Sequence, residues 1–199
     1  EQLVALLGQE EFNSRLDSTF VISRESVFGG GKTIDAFSGL HSYYNHGNQP
    51  NLHITGMFNF SGKPWLSQKW MRTICNEFYG TEGIHGYGYG QDEDQGQLGA
   101  WYVMAAMVLF DVKGLTAPNR PPDSQPLFDK ITVRLNRDYF PGKEFVIKTN
   151  GNSIDNIYVS RARLNGEELR SRQLPWASLA GGGLLELDMA AVPDESQDK

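Results

Sequence analysis

A single cysteine, Cys75, stands in the 199 residues. One thiol closes no internal disulfide, which excludes a disulfide-stapled scaffold and leaves the redox compartment open. Flanked by Ile74 and Phe78 in a segment of helical spacing, it reads as a buried, inert thiol. No apolar run reaches the roughly 18 residues that a membrane-spanning helix needs. No basic cluster is present either: 18 Lys and Arg against 24 Asp and Glu leave a net charge of −6. That balance excludes a general binder of phosphate backbones, so no nucleic-acid partner is expected. The chain opens at Glu1, with neither a methionine nor an apolar leader. Such a start reads as a processing site, an engineered boundary or a truncation, and gives no compartment.

Apolar and aromatic residues are not scarce. Hydrophobic residues make up 39% and aromatics 12%, enough for a packed core rather than disorder. Eleven Phe, eight Tyr, four Trp and 22 Gly form a mix common in carbohydrate enzymes, where ring faces stack on sugars. The same mix also suits an ordinary β-rich core.

The apolar period changes along the chain. Leu66, Trp70, Ile74 and Phe78 recur every four residues, with Pro64 placed at a helix start and Gly80 as a stop. The region from Leu98 to Phe110 is apolar nearly all round, as in a helix buried on every side. A shorter amphipathic helix runs from Glu11 to Phe20 through Phe12 and Leu16. Pro118, Pro121, Pro122 and Pro126 then break any helix, and 116–126 reads as a linker. Beyond it the period becomes two: Ile131, Val133, Leu135; Phe145, Ile147; Leu185, Leu187, Met189. Asn165-Gly166 is a hairpin signal between Tyr158–Leu164 and Glu167–Arg170, and Gly181-Gly182-Gly183 a second turn. The expected class is α+β: helical residues 1–115, then 127–199 as an antiparallel sheet or half-sandwich.

Two segments carry chemistry. His46-Gly-Asn-Gln-Pro50, followed by Asn51-Leu52-His53, is dense in polar groups. The amides of Asn48 and Gln49 are hard oxygen ligands suited to calcium, or partners for sugar hydroxyls; the segment also reads as a plain turn. Tyr87 to Gln97 places Asp92, Glu93 and Asp94 before the helix that begins near Leu98. The helix N-terminus favours their ionised forms. In an extended loop Asp92 and Asp94 project to one side, where they can hold a divalent cation or deprotonate a water. An acidic N-cap on a solvated loop fits the same residues.

Five motifs occur in one order: His46-Gly-Asn-Gln-Pro50, Phe58-Asn-Phe-Ser-Gly-Lys-Pro-Trp65, Gln91-Asp-Glu-Asp-Gln-Gly-Gln-Leu-Gly-Ala-Trp-Tyr-Val103, Pro126-Leu-Phe-Asp-Lys-Ile131 and Leu164-Asn-Gly166. In that order the chain resembles the C-terminal portion of glycoside hydrolase family 92. The resemblance implies an N-terminal β-sandwich and a larger domain built on an (α/α)6 barrel, of which residues 1–115 form a helical part. It implies an inverting, calcium-dependent exo-α-mannosidase acting on the terminal α-mannose of glycans, usually exported to the periplasm, cell surface or medium. Asp92 and Asp94 then correspond to the general-base candidates. His46, Asn48 and His53 become substrate contacts, and Asn48, Gln49 and Asp94 calcium ligands. The partners so implied are an α-mannose-containing glycan and the upstream part of the same protein.

Two departures accompany the resemblance. Gln49 stands where many members carry Glu, removing a charge from the implied metal site. The general acid of the family is a glutamate well upstream, and neither Glu10 nor Glu11 has its aromatic context. Inverting hydrolysis needs two carboxyl groups with a water between, and this chain supplies one side. An incomplete helical ring should also expose Trp65, Trp70 and Trp101. Alternatives are a glycan-binding or structural fragment without activity, or a hydrolase of phosphodiester-linked mannose, whose leaving group has less need of an acid.

Overall fold

A computed structural model describes residues 2–27, 42–80, 96–110, 119–120, 126–169 and 174–194. The loop bearing Asp92 and Asp94 lies outside them. The chain divides into two compact units, Glu1–Met104 and Ala105–Gln197. The expected linker at 116–126 falls within the second unit, and most of it is outside the described residues.

The first unit contains helices α1 (Gln2–Leu7), α2 (Gln9–Val27) and α3 (Pro64–Glu77), and α4 (Gln97–Ala106) up to its last turn. Pro64 opens α3, where its missing N–H has no helical partner to lose. The four-residue spacing buries Trp70, Ile74 and Phe78 on one face, with Met71 and Cys75 beside them. Phe20 of α2 stacks on Trp70 at 5.1 Å between ring centroids and tilts against Tyr44 at 4.6 Å. Aromatic pairs of this geometry contribute about 0.5–1.5 kcal/mol each beyond simple burial.

Two tryptophans expected on an exposed face are in the core. Trp70 and Trp101 are 1% and 2% exposed, and each indole N–H donates: Trp70 to Asp17 Oδ1 at 2.7 Å, Trp101 to the Leu52 carbonyl at 3.0 Å. The exposed large apolar side chains of this unit are instead Leu3, Leu6, Val21, Ile22, Tyr43 and Val103 among the described residues. Helix α4 is correspondingly not buried all round. Leu98, Trp101 and Ala105 form its inner face, while Val103 is half exposed.

The described residues just before α3, from 42 onward, are tied to α2 by hydrogen bonds. The Tyr44 amide donates to Ser23 Oγ of α2 at 2.9 Å. Short 3-10 helices follow at Gln49–Asn51 and Ile54–Phe60. At the far end, Asn13 of α2 donates to the Ser61 carbonyl at 2.9 Å and accepts from Ser61 Oγ at 2.6 Å. These bonds satisfy backbone groups that a loop would otherwise bury unpaired.

The second unit holds a two-stranded pair, β1 (Asn119–Arg120) with β6 (Leu174–Pro175), and a five-stranded sheet. The sheet comprises β2 (Lys130–Arg134), β3 (Glu144–Asn150), β4 (Tyr158–Leu164), β5 (Glu167–Glu168) and β7 (Gly183–Ala190), in the order β2-β3-β7-β4-β5. The expected turn at Asn165-Gly166 joins β4 to β5, both residues having positive φ, 52° and 86°. One expectation is corrected: the sheet is mixed, because β3 and β7 run parallel. Parallel neighbours need a crossover rather than a hairpin. The chain from Gly151 to Gly182 supplies it, passing through β4, β5, β6 and helix α5 (Trp176–Gly181). The triple glycine is the turn that leads from α5 into β7.

Phe145, Ile147, Leu185 and Leu187 are essentially buried. Each such side chain contributes about 1.5–3 kcal/mol. A register shift between Val159 and Arg161 changes the alternation of β4 from odd to even, so that Val159 and Ala162 are both buried. Between these positions stand partly exposed charges, with Arg163 paired to Asp188 at 3.1 Å. Among the described residues no helix is long and apolar enough to cross a membrane.

Candidate functional site

Two aromatic side chains meet where the chain enters the polar turn. Tyr44 and His46, two apart in sequence, are in direct hydrogen-bond contact. Tyr44 Oη lies 2.6 Å from His46 Nδ1, and His46 Nε2 lies 2.9 Å from Tyr79 Oη. The Tyr79 hydroxyl donates to the Leu98 carbonyl at 2.9 Å. Having spent its proton there, it accepts from His46 Nε2–H. Nδ1 is then bare and accepts from the Tyr44 hydroxyl. Tyr79 follows α3, and Leu98 is the second residue of α4. In sequence these two residues flank the segment that carries Asp92 and Asp94.

His46 is fully buried, with Phe78 at 4.9 Å and Trp101 at 4.3 Å, both edge-on. Burial without a charged partner pushes its pKa down to about 3, so the ring is neutral at physiological pH. Tyr44 is raised well above its usual value by the same desolvation, and the Cys75 thiol is pushed up to about 12. Cys75 is thus the inert core thiol expected from its neighbours.

After His46 the chain turns sharply. The Gly47 amide donates to Asn45 Oδ1 at 3.0 Å, and the Asn48 amide to the Asn45 carbonyl at 3.2 Å. Asn51 Nδ2 donates to that same carbonyl at 3.1 Å. Asn45 therefore organises the turn from its inner side, as Asn side chains do by copying backbone hydrogen bonds. Asn48 is extended (φ −92°, ψ 109°), exposed, and makes no capping bond with its side chain. Gln49 is half-buried, and its Nε2 is buried without a hydrogen-bond partner. His53 is exposed at the start of the second 3-10 helix.

Buried polar atoms without partners are uncommon in folded chains and point to a water, an ion or a ligand. Besides Gln49, they include the Thr55 hydroxyl, both amide atoms of Asn59 and the Ser67 hydroxyl. Of these, Asn59 falls within the Phe58–Trp65 motif, whereas Thr55, Ser67, Tyr44 and Tyr79 fall in none. The pairing of His46 with Tyr79, 33 residues on, is tertiary and leaves no trace in local spacing.

The described residues thus bring His46, Asn48 and Gln49 into one turn, with His53 just beyond. Asp92 and Asp94 lie outside them, as does any side-by-side placement of the acidic loop with this turn. For calcium, the donor set fits as far as it is described. Amide oxygens are hard ligands, and the two ends of the Gln49 amide exchange on a half-turn about its last torsion. No group of three His, Cys, Asp or Glu side chains positioned for a metal exists among the described residues, so the described donors are neutral.

A model of the glycosyl hydrolase family 92 catalytic domain matches residues 1–191. Over 147 residues the chain is 27% identical to a protein of Arthroderma benhamiae described as an uncharacterized secreted glycosidase, covering 72% of this chain and 18% of that one. Among solved structures, a family GH92 alpha-mannosidase from Bacteroides thetaiotaomicron superposes with a TM-score of 0.70 at 26% identity, over 96% of this chain and 23% of its own. A family GH92 inverting mannosidase from the same bacterium gives 0.71 at 30% identity, over 99% and 26%. The chain spans less than a third of the length of each of these relatives.

Proposed function

Because the chain belongs to glycosyl hydrolase family 92, we propose that it is the base-bearing part of an inverting exo-α-mannosidase acting on terminal α-mannosides of glycans. The observation that carries this reading is the likeness along nearly the whole chain to structures described as an alpha-mannosidase and an inverting mannosidase. The unpartnered Gln49 Nε2 supports it, because a buried amide N–H in a polar turn suits a sugar hydroxyl.

In this reading Asp92 and Asp94 orient and deprotonate the attacking water. Asn48, Gln49 and Asp94 would hold calcium, which supplies an electrostatic hold on sugar hydroxyls when bound. Asn48 and His53, both exposed, offer hydrogen bonds to the sugar; His46 completes the turn. The general acid comes from the upstream part of the protein, since inversion needs two carboxyl groups with a water between them. The helical residues contribute to an (α/α)6 barrel, and the secreted description of the fungal relative supports export.

The test joins this chain to the upstream part of a family 92 protein and assays an aryl α-mannoside with calcium. β-Mannose should be the first product by proton NMR. In that protein Asp94→Asn should fold normally and lower turnover by roughly two orders of magnitude or more, the usual contribution of a general base. Release of α-mannose, or wild-type turnover by the variant, overturns the assignment.

A further inference from the structure

The hydrogen bonds through Tyr44, His46, Tyr79 and Leu98 join three parts of the first unit: the segment entering the Asn48–Gln49 turn, the end of α3 and the first turn of α4. Tyr44, His46 and Leu98 are all fully buried. An imidazole suits this place because one rigid ring accepts on one side and donates on the other. The contacts of Phe78 and Trp101 hold its plane. Swinging Nδ1 toward a ligand would break the bond to the buried Tyr44 hydroxyl, and swinging Nε2 would break the bond to Tyr79.

The same turn is gripped from its other end. Leu52, just past the short 3-10 helix, accepts from the indole of Trp101 at 3.0 Å. Trp101 is also the ring that packs edge-on against His46. The turn is thus fastened before and after by groups belonging to, or bonded to, α4.

We propose that His46 is a positioning residue: an imidazole that donates from Nε2 and accepts at Nδ1, and so fixes the Asn48–Gln49 turn against the end of α3 and the start of α4. It acts on a ligand only through the residues it places. The consequence for catalysis rests on the mannosidase reading, but the positioning itself does not.

On this 199-residue chain, nitrogen-15 NMR of the ring reads which nitrogen carries the proton. Amide hydrogen exchange at Asn48, Asn51 and Leu52 reads how firmly the turn is held. The proton should be on Nε2. His46→Ala should speed exchange at those amides by roughly tenfold or more, as expected when a local fastening is lost. His46→Gln, which still donates toward Tyr79, should recover most of that protection. Exchange at Ile147 and Leu187 in the sheet should be unchanged in both variants. If His46→Ala does not fold, Tyr79→Phe replaces it, since it keeps the ring and deletes only the middle hydroxyl. A proton on Nδ1, or turn amides that exchange at the wild-type rate in the folded variant, overturns the proposal. In the protein joined to its upstream part, kcat/KM should fall roughly tenfold in His46→Ala at saturating calcium. If that protein shows no mannosidase activity while the ring and exchange results hold, the mannosidase reading fails and the positioning role stands.

Discussion

Tyr44, His46 and Cys75 are buried in their uncharged forms, and this gives the first unit a defined pH window. The unfolded chain binds a proton at His46 below about pH 6.5, while the folded chain does not until about 3. Stability present above 6.5 is therefore lost as pH falls between those values, by about 1.4 kcal/mol per pH unit from this residue. At the alkaline end the sign is opposite. The unfolded thiol loses its proton near 9.0 and the folded one near 12, so stability falls as pH rises above 9, with Tyr44 adding to the loss above 10. Urea melts from pH 4 to 11 should show a plateau between about 6.5 and 9. His46→Gln should flatten much of the acid limb, and an unchanged limb would show that other groups dominate it.

Gln49 sets the expected strength of calcium binding. With neutral amides as the described ligands, the isolated chain should bind calcium only at roughly 10⁻⁴–10⁻³ M. Gln49→Glu adds a carboxylate and should tighten binding about tenfold, or about 1.4 kcal/mol. Calorimetry on both forms checks this. Submicromolar binding by the natural chain would require ligands beyond those proposed.

Among the elements, the contact between Gly142 and the end of α5 tolerates least change. A Cβ on Gly142 would stand 2.5 Å from the Gly181 carbonyl oxygen and the Gly182 nitrogen, which are backbone atoms with no rotamer to move. The Gly142 amide also donates to the Ala180 carbonyl at 3.0 Å. Gly142→Ala should therefore destabilise the second unit by about 1–3 kcal/mol, the usual cost of overpacking, read as a lower melting temperature. Gly166→Ala, in open space but at positive φ, should cost about 1 kcal/mol. Helix α3 was legible because Trp70, Ile74 and Phe78 face one core at a constant step. The Ile54–Phe60 3-10 helix was not, since Thr55, Gly56 and Asn59 carry no apolar period and its hold comes from tertiary bonds. Strands β3 and β7 were found from their alternation, but their parallel pairing is a property of the path between them. The site shows the same split: His46, Asn48 and Gln49 stood out as a polar cluster, whereas their fastening depends on Tyr79 and Trp101, far along the chain.

For the whole molecule, the 199-residue chain alone should show no measurable mannosidase activity. Under the mannosidase reading its acid partner lies upstream, and a site assayed without that upstream part stays wet, which weakens each electrostatic contact. An aryl α-mannoside assay with and without the upstream portion decides this; activity in the chain alone would place the acid within it. The exposed Leu3, Leu6, Val21 and Ile22 give a second expectation. They should bind a dye sensitive to apolar surface, and joining the upstream portion should reduce that signal.

Strand β7 lies between β3 and β4, which are not neighbours in the sheet order. As the chain emerges from the ribosome, β2 and β3 can zip together early, and so can β4 and β5. Each hairpin must then wait with the edge that will face β7 unpaired until Gly183–Ala190 has been made. Strand β7 is thus the keystone of the described sheet, and synthesis that stops before it leaves two sticky half-sheets rather than one joined sheet.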